Sequence, residues 1–179
     1  MAQFQAFSRQ VMVNGQTVLS VISGMGAFSG TAAQILQRNG IPNPVATGWY
    51  PQQAWLDAFR EIAQSIGNRT LYQIGVSIPR NAKFPPGINT VEQALESLDV
   101  AYHMNHRGGE IGHYSFAKTG PSQGIMTCKN PYPCEFDRGI VEAVAGKFKP
   151  AGSIVRVQHD PAKACRAKQG ESCTYVVSW

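Results

Sequence analysis

The chain opens with an apolar run interrupted by one turn signal: Val11, Met12 and Val13, then Asn14-Gly15, then Val18 to Ile22. Asn-Gly tolerates positive φ at both central positions of a type I′ turn, so the pattern predicts a hairpin with arms at 11–13 and 16–22. A glycine-rich stretch, Gly24 to Gly30, leads into a short helix over 31–38 that Asn39-Gly40 and Pro42 stop. Pro51 suits a first helical position, and Trp55, Phe59, Ile62 and Ile66 recur at spacings of three and four until Gly67, which predicts a second helix. Thr70 to Ile78 reads as a strand, and Pro79 to Gly87, with Pro85-Pro86, as a loop.

Asn89 with Glu92 resembles a capping box, and Val91, Leu95, Leu98 and Tyr102 mark the buried face of one long helix ending near Gly108-Gly109. Ile111 to Ala117 and Gly124 to Lys129 read as paired strands, and Asp137 as the cap of a helix that carries Ile140, Val141, Val144 and Phe148 and stops before Pro150. Ser153 to Gln158 and Ser172 to Trp179 alternate as strands, with Cys165 in the polar connection between them. Helices and strands mix without regular alternation. The expected fold is therefore α+β, a mostly antiparallel sheet packed against several helices, ending in a β-hairpin with a cysteine-bearing loop.

Composition narrows this further. At 179 residues, with 43% hydrophobic and 15% charged residues, the chain suits one folded domain over 1–179. The net charge of +5 comes from scattered residues without a basic run, so the footprint of nucleic-acid binding is missing. Met1 to Arg9 does not read as a signal peptide, and the longest apolar stretches fall well short of the roughly 20 residues a bilayer span needs. A cytoplasmic protein without membrane or nucleic-acid partners is expected. In a reducing compartment, clustered thiols more often hold metal or do redox work than form structural disulfides.

The chemistry concentrates in two places. Cys165 and Cys173, with His159 before them and Cys134 near the start of the Asp137 helix, are four soft donors with the makings of a tetrahedral site. Four protein donors leave no open position, so a structural zinc on Cys134, His159, Cys165 and Cys173 is expected, with the helix end stabilising the Cys134 thiolate. Buried thiols and redox pairing are the other readings, and Cys128 could replace His159 in a four-cysteine site or pair with Cys134 under oxidation. The second place is Tyr102 to Tyr114, with three histidines in eleven residues. His103 follows Asp99 by four positions, a solvent-facing helical pair. His106 and His113, with Tyr114, are candidate acid/base residues of a small isomerase, lyase or reductase-associated enzyme, provided that the strand after Gly108-Gly109 folds His113 back to the helix end.

Trp49, Tyr50, Trp55, Tyr102 and Phe116 are candidate ligand-binding residues, although such aromatics more often make core. Gly24-x-Gly26-x3-Gly30 sits where a dinucleotide fingerprint would, but Ile41 to Tyr50 holds turn residues and no carboxylate for a ribose. Phosphate-loop, nucleophile-elbow and zincin motifs are missing from the sequence.

The ending, Ile154-Val155-Arg156-Val157-Gln158-His159-Asp160, then Cys165, Gly170 and Cys173-Thr174-Tyr175-Val176, resembles the close of the 4-vinyl reductase domain, a predicted hydrocarbon-binding family. Cys134-Glu135-Phe136-Asp137-Arg138-Gly139-Ile140 is similar to that family's helix start. The family belongs with heme-based nitric-oxide sensors and a Golgi-transport subunit in one ligand-binding superfamily. The resemblance covers roughly the last fifty residues, and the earlier helices only in order and length. In the similar sensor domains of phenol-responsive activators, three cysteines and a glutamate hold zinc beside a pocket for a small aromatic ligand. Cys134, Cys165 and Cys173 match those cysteines, while the glutamate's place is Ala162, which leaves His159 or Asp160 as fourth ligand. The heme sensors' Tyr-x-Ser-x-Arg motif is missing, which speaks against heme held in their way. The resemblance implies a stand-alone homodimeric binding or sensor domain, without ATPase or DNA-binding regions, for a small hydrophobic or aromatic ligand.

Overall fold

In the chain, Asn14-Gly15 is a helix cap and not a hairpin turn. In the computed structural model, which describes residues 3–179, β1 (Met12–Asn14) runs directly into α1 (Gly15–Gly24). Met1 and Ala2, part of the segment judged above for a signal peptide, lie outside the described residues. The Asn14 backbone is extended and its Oδ1 accepts the Thr17 N–H at 2.8 Å, which satisfies one of the free donors of the first turn. The sheet partners of β1 come from far along the chain: β2 (Trp49–Pro51) and, from beyond the later helices, β3 (His106–Arg107), in the antiparallel order β2-β1-β3.

Between them, α2 (Ser29–Arg38) and α3 (Gln52–Ser65) follow the expected pattern, with Trp55, Leu56, Phe59 and Ile62 of α3 buried. The strand expected over 70–78 is instead α4 (Asn68–Asn81). Its Thr, Tyr, Ile and Val residues alternate as in a strand, but Leu71, Ile74 and Ile78 are the buried apolar side chains, at spacings of three and four. Packing decides the matter. At the contact with α7 (Cys134–Phe148), a Cβ on Gly75 would stand 2.2 Å from the Phe136 carbonyl oxygen, and one on Gly139 the same 2.2 Å from that of Tyr72. Two glycines thus let the backbones of α4 and α7 meet directly.

The long helix expected over 91–108 is shorter and divided, into α5 (Val91–Glu96) and α6 (Leu98–Met104), and Thr90 rather than Asn89 caps α5 through the Gln93 N–H. Asn105, buried just past α6, joins three parts of the fold. Its Nδ2 donates to the carbonyls of Ala101 and Lys83, and its Oδ1 accepts from Asn14, Thr17 and the Lys83 N–H.

The second sheet is antiparallel throughout, in the order β4-β5-β7-β6, from β4 (His113–Gly120), β5 (Gln123–Lys129), β6 (Arg156–His159) and β7 (Cys173–Ser178). Met126, Cys128, Cys173, Tyr175 and Val177 are buried in it, and α5 and α7 pack on it. The fold is α+β and ends in the β6–β7 hairpin with the cysteine-bearing loop. α7 begins three residues before Asp137, with Pro133 at the cap position, so Asp137 lies inside the first turn and is not the cap. Among the described residues no single helix is long and apolar enough to cross a membrane; α1 reaches that length only with residues 26–38, across a bend of 111°.

Candidate functional site

The aromatic residues that α3, α6 and α7 turn inward surround an internal cavity. Trp55, Phe84, Leu98, Tyr102, Phe136 and Ile140 are among its walls, and its free volume is about 40 Å³. The polar groups at its edge are mostly committed to one another. His106 Nδ1 lies 2.8 Å from the Tyr102 carbonyl and Nε2 lies 2.6 Å from the Tyr132 hydroxyl, which also accepts from Gln52 Nε2 at 2.9 Å. A carbonyl only accepts, so Nδ1 carries the proton and Nε2 accepts from Tyr132. Burial holds the His106 pKa down at about 4, which keeps this neutral tautomer in place at neutral pH. Of the four buried side-chain polar atoms without a hydrogen-bond partner among the described residues, two belong to this region, the Trp55 indole N–H and the Gln52 Oε1; the others are His159 Nε2 and Arg166 Nε.

Beside the cavity lies a sealed ion pair. Arg166, from the turn after Cys165, bonds Asp137 through Nη2 and Asn130 Oδ1 through Nη1 at 2.5 Å, and both charged side chains are fully buried. Tyr114 donates its hydroxyl to Asp137 at 2.6 Å. Burial, opposed by the Arg166 charge, pushes the Asp137 carboxyl up to about 6. The spacing of the sequence gave no sign of this pair, because its members lie far apart in the chain.

Folding does assemble the cysteine set. One donor atom from each of Cys134, His159, Cys165 and Cys173 lies within 4.8 Å of the others, while Cys128 stands outside this set, on β5 opposite Cys173 of β7. Cys134 Sγ is 3.0 Å from Cys173 Sγ. The hydrogen bond to Cys173, with burial, pushes the Cys134 thiol up, whereas the Cys134 S–H and the Arg166 guanidinium pull Cys173 down. The readier thiolate is therefore Cys173, in the hairpin, and not Cys134 at the helix end as expected. Asp160 is turned to its own loop, where it accepts the Ala162 N–H.

His106, His113 and Tyr114 do not converge on one point. His106 faces Tyr132 inside, the Tyr114 hydroxyl faces Asp137, and His113 is on the surface beside Asp99 and His103. The return of His113 to the helix end does occur, but it meets His103 and not His106. Of the proposed ligand-binding aromatics, Trp55 and Tyr102 line the cavity. Trp49 stacks under Arg107, the Tyr50 hydroxyl accepts the Val45 N–H, and Phe116 packs near Trp179 at the other end of the sheet. The reading of the sequence missed Tyr132 and Gln52, whose Asn-Pro-Tyr-Pro and post-proline contexts signal only a turn and a helix start.

No protein-family model matches the chain, and no curated protein matches it. Solved structures do. An H-NOX protein from S. oneidensis in the Fe(II)NO ligation state aligns with a TM-score of 0.70 at 12% identity, over 92% of this chain and 98% of that one. An oxygen-binding H-NOX domain related to soluble guanylate cyclases aligns at 0.64 and 12%, over 92% and 94%. A structure described by its heme redox potential and porphyrin distortion aligns at 0.61 and 10%, over 93% and 99%. The chain therefore shares the fold of these H-NOX structures, while the resemblance of its ending to the 4-vinyl reductase domain finds no match of its own.

The expected structural zinc cofactor does not stand. The solved proteins with this fold are described by iron, as Fe(II) or in heme, and not by zinc. The residues here do not fit a heme either. Ligand pockets of this kind have about 300–1,000 Å³, against the cavity's 40 Å³. An axial ligand needs a free lone pair facing the porphyrin; both His106 nitrogens are engaged, and the His103 side chain is 44% exposed at the surface.

Proposed function

We propose that the chain is a single small-molecule-binding domain that takes a small, mostly apolar ligand with one hydrogen-bond acceptor in this cavity, without heme. The observation that carries the reading is the apolar cavity whose wall includes Trp55, a residue with an indole N–H that is buried and has no partner among the described residues. Leaving such a group unpaired costs about 1–3 kcal/mol, which a ligand's acceptor recovers. At rest the space suits a molecule of a few heavy atoms, since one water needs about 10–15 Å³ measured this way. A ring-sized ligand displaces Phe84, which is only partly buried and belongs to the loop between α4 and α5. In this reading His106, Tyr132 and Gln52 hold the wall in place and do not act as acid or base. The resemblance of the ending to the hydrocarbon-binding 4-vinyl reductase domain supports the apolar character of the ligand.

Phenol and benzene test this, as one ring with an acceptor and the same ring without. Calorimetry is expected to show phenol binding about tenfold tighter than benzene, the difference vanishing in Trp55→Phe and both signals vanishing when Ala101→Leu fills the cavity wall. Hemin added to the purified chain is expected to stay unbound. Uptake of one equivalent of hemin with a histidine-ligated spectrum, or phenol affinity unchanged in Ala101→Leu, overturns the reading.

A further inference from the structure

Asp99, His103 and His113 form a second donor cluster, on the surface and independent of the cavity, with one donor atom of each within 4.8 Å of the others. Asp99 and His103 lie four residues apart on α6, and His113 is the first residue of β4. Asp99 Oδ1 is 3.7 Å from His103 Nδ1 and 3.4 Å from His113 Nδ1. Two donors, each about 2.1 Å from one ion and set at the tetrahedral angle, stand about 3.4 Å apart. The rings of the two histidines are 5.1 Å apart and inclined by 31°, so both present an edge to the same carboxylate.

The cluster is also held in place. The Tyr114 N–H donates to Asp99 Oδ1 at 2.9 Å and fixes the carboxylate, while the Tyr114 hydroxyl is anchored on buried Asp137. The Asp99 carbonyl lies 2.8 Å from His103 Nδ1 and keeps that ring on the side of α6 that faces β4. Of these contacts, the one from the Tyr114 N–H to Asp99 is of the kind that orients a metal ligand. Side-chain exposures of 34% for Asp99, 44% for His103 and 60% for His113 leave the donors open to solvent. Exposed Val100 and Met104 flank them.

We propose that Asp99, His103 and His113 bind a divalent first-row transition metal, leaving its remaining coordination positions open to water or a ligand. Two imidazoles and a carboxylate are a donor set that suits iron, cobalt, nickel or copper in this oxidation state. Binding exchanges the His103 contact with the Asp99 carbonyl for a metal bond.

Nickel(II) is the probe, added to the reduced full chain and followed by NMR, in which this paramagnetic ion broadens signals near it. One equivalent is expected to broaden the His103 and His113 ring signals and the Tyr114 amide first. His113→Ala and Asp99→Asn are each expected to weaken the affinity read from those signals by about tenfold or more, while Cys165→Ser leaves it unchanged. Ring signals that stay sharp at a tenfold excess of nickel(II), or an affinity at Tyr114 that His113→Ala does not change, overturn the proposal.

Discussion

Asp99 and Asp137 both lie in the first turn of a helix, and both accept a hydrogen bond from Tyr114, one from its backbone N–H and the other from its hydroxyl. Their surroundings are opposite. Asp137 is sealed with Arg166 and Asn130, whereas Asp99 is one-third exposed and faces two histidines. A carboxylate taken fully out of water needs its counter-charge supplied by the fold, which commits it to structure. One left at the surface keeps weaker, exchangeable partners and stays available for binding. Tyr114 thus joins a fixed charge inside to an open one outside.

The largest effect is expected where that commitment is broken. Asp137→Ala leaves the Arg166 guanidinium buried without its partner and is expected to cost about 3–5 kcal/mol in chemical denaturation. Replacing both, as Asp137→Leu with Arg166→Met, is expected to recover most of the loss, because the uncompensated charge goes with the pair. A loss below about 1 kcal/mol in the single variant contradicts the sealed pair.

His106 sharpens the contrast between buried and exposed through pH. Its pKa is held at about 4 in the fold, against an ordinary value of 6.5, so the unfolded chain takes up a proton that the native chain refuses. The stability that comes from a neutral His106 is full above pH 6.5 and is lost as pH falls toward 4. The loss amounts to about 3 kcal/mol from this residue. Asp137, pushed up to about 6, acts in the opposite sense over the same window in both proteins, so the test is the difference: as pH falls from 6.5 toward 4, the denaturation midpoint is expected to drop relative to that of His106→Gln, which keeps a donor and an acceptor but does not titrate. Identical pH profiles for the two proteins contradict this account.

The close meeting of α4 and α7 positions Asp137 in the first place. Gly75→Ala is expected to cost about 1–3 kcal/mol, since the new methyl meets the Phe136 carbonyl and the helices must separate. This contact also explains where the sequence was silent. Local patterns identified α3, α7 and the final hairpin because each carries its own periodicity and its own stop. They failed at Asn14-Gly15 and at 70–78. There the Asn14 side chain chose a cap over a turn, and helix packing outweighed the β preference of Thr70, Tyr72, Ile74, Val76 and Ile78. The cysteine set was legible because three of its four members share one hairpin. The Asp137–Arg166 pair, and the chain from Gln52 through Tyr132 to His106, were not, because their members meet only through tertiary structure.

The smallest effect on stability is expected at the other aspartate. Asp99→Asn keeps an oxygen that can accept the Tyr114 N–H and removes only a charge whose partners are half-exposed histidines. Exposed pairs of this sort contribute about 0–1 kcal/mol, so the denaturation midpoint is expected to stay nearly where it was. Set beside a loss several times larger for Asp137→Ala, the result separates the two roles: one carboxylate is needed for the fold, and the other is free to serve a ligand. A loss at Asp99 equal to that at Asp137 would erase the distinction, and would mean that the start of β4 depends on the Asp99 charge itself.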